Sequence, residues 1–246
     1  KMIAAQGHTL LLHGRSSEKL RIAADIVSGI AGAGRVFTFR ADFSILSEVE
    51  EMAAEIKSTV GGIDVLINNA GVFVTPHPTT ADGYDTRFVV NAVAPYLLTR
   101  SLLPIFNPNG RVVNLSSAAQ SPVQLQDVLN KRSFSDNAAY AQSKLALTMW
   151  SAELAHQLEA SGPAIIAVNP GSFLGSKMVK EANGQQGHDL EIGADILTRA
   201  ALTDEFEGVS GRYYDNDRKA FAKPHPDALD PAKNKRVIEA IEHLIS

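Results

Sequence analysis

Tyr140 and Lys144 close the segment Tyr140-Ala141-Gln142-Ser143-Lys144, a four-residue spacing that places both side chains on one face of a helix. A tyrosine with its ordinary pKa of about 10 is a poor proton donor and acceptor near neutrality. Bringing it to about 7 takes roughly 4 kcal/mol. One ammonium about 4 Å away, at an effective dielectric near 20, supplies roughly that much. A single well-placed lysine is therefore enough to let a phenol exchange a proton with a substrate oxygen. A bare Tyr/Lys pair at this spacing is more often a surface pair, so its meaning depends on the elements that carry it.

Those elements alternate. Lys1–Gln6 reads as the tail of a helix, with Gly7 as its left-handed terminator. Short apolar strands are predicted at 9–13, 36–39, 63–67, 111–115 and 164–168, and a last one at 212–214. Between them lie segments of helical period at 17–30, 45–60, 84–103, 138–159, 191–201 and 235–244. Ser47 and Glu50 could form a capping box in the second of these. Strands apolar throughout, alternating with helices, predict a single doubly wound α/β domain with a parallel sheet covered on both faces.

In such a sheet, ligands sit beyond the carboxyl ends of the strands. There the chain carries Gly14, Arg15 and Ser16, then Asp42 and Phe43, then Asn68-Asn69-Ala70-Gly71. The later strand ends carry Ser116-Ser117 and Asn169-Pro170-Gly171. Every rim is small or polar, which suits a long ligand laid across the sheet edge.

Asn69-Ala70-Gly71 after a strand, Asn91 in the next helix, Ser116-Ser117, Tyr140/Lys144 and Pro170-Gly171 occur in one order. In this the chain resembles the short-chain dehydrogenase/reductase family over nearly its whole length. The resemblance implies a Rossmann-type, three-layer αβα fold and an oxidoreductase acting on a small-molecule alcohol or carbonyl. Tyr140 would exchange the proton, Lys144 would lower its pKa and hold the nicotinamide ribose, and Ser117 would hydrogen-bond the substrate oxygen, with Ser116 the neighbouring alternative. Asn91 would hold a water linking Lys144 to solvent. Asn69, Ala70 and Gly71 would line the cofactor. Pro170, Gly171 and the backbone near Phe173 would fix the nicotinamide. Asp42, with Phe43, would face the adenine. His13-Gly14-Arg15 offers no carboxylate for a ribose diol, whereas Arg15, with Ser16 beside it, suits a 2′-phosphate, so NADP(H) is expected rather than NAD(H).

Two departures accompany the resemblance. The glycine-rich phosphate loop and the first strand expected upstream of Met2-Ile3 are not in this sequence. Gly29, Gly32 and Gly34 follow a helix and lead into a strand, the reverse of the order a phosphate loop needs. The long interval from Ser117 to Tyr140, and the run Pro170-Gly171-Ser172-Phe173-Leu174-Gly175, are similar to the retinol-dehydrogenase-like and WW-domain oxidoreductase-like branch. Residues 172–190 would form a substrate loop. A non-catalytic cofactor-binding regulatory or scaffold protein of the same fold is the alternative, with an epimerase or dehydratase as a further enzyme reading.

Composition narrows the rest. A net charge of −4, from 23 basic and 27 acidic residues, argues against a nucleic-acid partner. With no cysteine, disulfides and thiolate chemistry are excluded, and the seven histidines show no paired metal-ligand spacing. The apolar runs look short of the roughly 20 residues of a membrane span, and no signal peptide opens the chain, so a cytoplasmic location is expected. Apolar residues on several sides of the 84–103 and 138–159 helices, including Trp150, predict a homodimer or homotetramer.

Overall fold

The computed structural model describes residues 1–159, 161–175 and 187–246. A 3-10 turn at Ala4–Gln6 ends on Gly7, whose φ of 81° lets its N–H close on Ala4. Strand β1 (Leu10–Gly14) leads to α1 (Ser17–Ser28), capped by Ser16. Then come β2 (Val36–Arg40), α2 (Leu46–Thr59) and β3 (Ile63–Asn68). The helical stretch α3 (Thr86–Ile105) precedes β4 (Phe106–Leu115) and a short α4 (Leu125–Leu129). Helix α5 (Asp136–Leu158), β5 (Ala164–Asn169) and α6 (Leu190–Leu202) follow. A hairpin of β6 (Tyr213–Asp215) and β7 (Ala220–Ala222) and a last helix α7 (Pro231–Ile245) complete the order.

The parallel arrangement holds, with two refinements. β1 and β2 form a parallel pair of their own, while β3-β4-β5-β6-β7 form a second sheet whose first four strands are parallel. β7 turns back antiparallel to β6, an element too short and too close to its partner for periodicity to reveal. The capping box is not formed. α2 opens on Ile45, whose side chain has no acceptor, and Ser47 already lies inside the helix; Glu48 accepts from the Asp42 N–H at 2.8 Å. Gly34 is a packing glycine: a Cβ there would lie 2.5 Å from the His8 carbonyl.

Alternation along the strands builds the layers. In β4, Val112 packs with Leu145, Trp150 and Ile165 beneath α5 and α7, while Val113 faces Ile166, Ile196 and Phe206 beneath α6. A separate cluster joins Phe39 of β2 to Val49 and Met52 of α2 and Leu97, Leu98 and Leu102 of α3.

By length and composition α3 is able to cross a membrane, which corrects the expectation that no apolar run approaches a span. In this fold most of it is buried as a core helix, locked at its start by Arg87. That guanidinium is 1% exposed, donates to Asp85 through Nε at 2.9 Å and Nη2 at 2.6 Å, and also reaches Asp136 at the start of α5. Removing one partner of a buried pair strands the other charge. Arg87→Ala is accordingly expected to cost about 3–5 kcal/mol in urea unfolding. Arg87→Met combined with Asp85→Leu should recover most of that loss, and full stability in the single variant would show that the pair does not hold the helix start.

Candidate active site

The site gathers at the carboxyl ends of β3, β4 and β5. Helix α5 is buried without a break from Gln142 to Ser151, polar residues included, so its side chains are held by the core rather than by one packed face. Tyr140 and Lys144 lie on the same side of it, with the Lys144 Nζ 5.6 Å from the centre of the Tyr140 ring. The Ser117 hydroxyl, just past the end of β4, lies beside the phenol, and its oxygen accepts from the Ala119 N–H at 3.1 Å. Ser116 is excluded from that role: it is buried and shares a 2.6 Å hydrogen bond with the Thr148 hydroxyl. Both serines lie past Leu115, the last residue of β4, and face different surroundings: Ser116 the interior, and Ser117, which the resemblance favours, the phenol.

The Ser117 carbonyl is held from two directions, by the Gln120 amide at 2.9 Å and the Tyr213 hydroxyl at 3.2 Å. Gln120 reaches back only three residues, whereas Tyr213 arrives from 96 residues further along the chain, where no local pattern links it to Ser117. Phe73 is a further addition, its ring 4.8 Å from that of Tyr140 and tilted by 58°.

The charge balance differs from the sequence expectation. Burial pushes the Tyr140 phenol above its ordinary value, and the neighbouring Ser117 hydroxyl only partly offsets this. Burial also drives the Lys144 ammonium down to about 8, and its Nζ donates to the Leu115 carbonyl at 2.7 Å. Burial therefore outweighs any lowering of the phenol by its neighbours, the reverse of the sequence expectation of an ammonium about 4 Å away.

Asn91 is pinned. Its amide oxygen accepts from the Val72 N–H at 2.8 Å, and its amide nitrogen donates to the Val72 carbonyl and the Ser143 hydroxyl, each at 2.9 Å. The side chain thus ties the loop after β3 to α5 and has no donor to spare for a water. The helix around it widens to a π turn at Val89–Val93. Pro95 explains this: it has no N–H for the Asn91 carbonyl four residues back, and its ring crowds that oxygen. The proline was the available sequence signal.

Asn68 belongs to the interior, donating to Thr99 at 3.0 Å and Asn114 at 2.8 Å, whereas Asn69 is exposed beside Ala70 on the rim. Gly71 lines the site directly: a Cβ there would come 3.3 Å from the Asn91 amide oxygen and 3.6 Å from the Lys144 amine. Gly171, at φ 126°, follows Pro170 at the end of β5, and Phe173 is exposed beyond it. Most of the expected substrate loop, residues 176–186, lies outside the described residues.

At the other end, Arg15 is exposed and Ser16 is spent as the α1 cap. Asp42 accepts from the Ser44 N–H and hydroxyl at 2.9 and 2.7 Å. Burial works to raise its pKa, but these bonds and the nearby Arg15 and Arg40 hold it below the usual value. Phe43 is buried and stacks on His13, ring centres 4.1 Å apart, so its side chain is not free to meet a ligand edge-on. No cluster of three metal-ligating side chains occurs among the described residues.

Residues 1–187 match the family described as short chain dehydrogenase. The chain is 32% identical to retinol dehydrogenase 13 of Mus musculus, covering 96% of this chain and 75% of that protein. It is 29% identical to polyprenol dehydrogenase of Homo sapiens, covering 89% of this chain and 72% of that one. Its fold superposes on the crystal structure of an uncharacterized protein from Mycobacterium paratuberculosis with a TM-score of 0.79, at 28% identity, covering 99% of this chain and 86% of the other. The expectation of a cytoplasmic location is overturned by these relatives, which are named for retinol and polyprenol, alcohols that partition into lipid bilayers. Sequence, fold and relatives agree that the chain belongs to the short-chain dehydrogenase family, in its retinol-dehydrogenase-like branch.

Proposed function

We propose that the protein is an NADP(H)-dependent oxidoreductase that interconverts an alcohol and a carbonyl, with Tyr140 as the proton donor and acceptor. The observation that carries this reading is the meeting of Tyr140, Ser117, Lys144 and Gly71 at one end of the sheet. The residues suit a nicotinamide dinucleotide at both ends. Gly71 leaves bare backbone beside the Lys144 amine, and Pro170-Gly171 closes the same end. Arg15, an exposed guanidinium next to Asp42, suits the 2′-phosphate at the other. When bound, that cofactor would supply or accept the hydride at nicotinamide C4.

The chain's own groups handle the oxygen. Ser117 donates to the substrate oxygen and stabilises charge as it develops. Tyr140 gives its phenolic proton to a carbonyl oxygen in reduction and takes one from a hydroxyl in oxidation. Lys144 anchors the ribose through its amine. Phe73 offers apolar surface beside the phenol, and the relatives' names favour a lipophilic substrate.

Three outcomes test this. Tyr140→Phe should lower kcat with retinol-like and carbonyl substrates by at least about a hundredfold while NADPH still binds; unchanged turnover would remove the phenol from the chemistry. Arg15→Ala should weaken NADPH binding about tenfold or more and leave NADH binding unchanged, and equal effects on both would break the assignment of the arginine. Lys144→Met concerns stability. The unfolded lysine, at its ordinary 10.5, holds its proton more tightly than the buried one at about 8, so stability rises with pH between those values. The variant should lack this rise, so its urea stability relative to the parent should fall from pH 8 toward pH 10.5, and an unchanged pH dependence would show that Lys144 does not titrate in this range.

A further inference from the structure

The turn after β5 is held from outside. Its backbone is left-handed at Gly171, φ 126°, and again at Phe173, φ 54°, where a side chain makes that conformation unfavourable. Such a turn persists only where its surroundings impose it. The restraint comes from the tip of the β6–β7 hairpin. One oxygen of the Asp217 carboxylate accepts from the Ser172 N–H at 2.8 Å. The other accepts from the Ser172 hydroxyl at 2.6 Å and from the Asn169 amide at 2.9 Å.

The grip is reinforced on both sides. The Asn169 amide nitrogen also donates to Asp215 at 2.9 Å, and its oxygen accepts from the Gly171 N–H at 3.3 Å. Asn216 donates to the Pro170 carbonyl at 2.9 Å. Burial of Asp217 works to raise its pKa, but the donors from Ser172 and Asn169, with His188 nearby, hold the carboxyl below its ordinary value, so it is ionised and acceptor-only at neutral pH.

We propose that Asp217 is a positioning residue for the nicotinamide end of the cofactor: through Ser172 it fixes the Pro170–Phe173 turn against which that ring is placed. This rests on the oxidoreductase reading above. The chemistry requires a carboxylate. Three donors converge on two oxygens, and an amide at this position would turn a donor toward another donor whichever way it lay. The effect is confined to one end of the ligand, since Arg15 and Asp42, at the adenosine end, belong to other elements.

The test compares two ligands that share the adenosine end. In the full protein, Asp217→Asn should raise the Kd for NADPH about tenfold, as expected for lost hydrogen bonds to a charged group, and lower kcat. Its affinity for adenosine 2′,5′-bisphosphate, which has no nicotinamide, should stay within about twofold of the parent. Ser172→Ala should show a smaller loss of the same kind, and Ser172→Thr, which keeps both donors, should restore parental behaviour. That pair carries the comparison if Asp217→Asn does not fold. Equal losses for both ligands, or no loss for NADPH, would overturn the proposal while leaving the oxidoreductase reading in place. Failure of the parent protein to bind either ligand would overturn that reading, and this one with it.

Discussion

Enclosure of α5 on all sides is the constraint from which the site follows. Because Leu145, Leu147, Trp150 and Leu154 are buried in one cluster with β4, β5 and α7, the helix cannot rotate to bring a different face to the sheet edge. Tyr140 and Lys144 therefore keep a fixed separation, and the lysine is carried into the interior together with its helix. The same enclosure that gives the pair its geometry weakens the lysine's charge and raises the phenol's pKa. Position and electrostatics are two results of one packing arrangement, and at this site they pull in opposite directions.

Polar residues inside the sheet do the complementary work of alignment. Asn68 of β3 donates to Asn114 of β4 at 2.8 Å, and Asn114 donates to Ser151 of α5 at 2.8 Å. Ser151 in turn donates to the Leu147 carbonyl at 2.6 Å. A buried amide finds its partners in one register only, so this chain of hydrogen bonds sets β3, β4 and α5 relative to one another. Asn91 does the same for the loop carrying Gly71. The result is that the rim residues are presented on short, braced segments instead of long loops.

Bracing from a distance recurs at the other strand ends. Ser117 is steadied by Gln120 and by Tyr213 from the hairpin, and the turn after β5 by Asp217 from that hairpin's tip. The β6–β7 hairpin is thus an edge of the sheet that reaches back over two of its central strand ends. Without it, Ser117 would lose a donor to its carbonyl, and the left-handed turn at Phe173 would keep only the backbone pairing of Phe173 and Gly175 with His188.

Much of this was written in the order of residues alone. Short continuous apolar runs with helical segments between them pointed to a parallel sheet with helices on both faces, because that arrangement buries strands that are apolar throughout. The spacing of Tyr140 and Lys144, and the glycine at Gly71, followed from local geometry. What local patterns could not decide was anything set by contacts distant along the chain. Which of two adjacent serines meets the phenol depends on how the chain leaving β4 meets α5. The use of Asn91 as a clamp depends on Val72 and Ser143 arriving from two other elements. The lowered pKa of Lys144 depends on how completely the fold encloses it. Sequence determined the reactive groups and the scaffold type; tertiary structure alone decided their solvation and their partners, since both are properties of the space that remote segments close around them.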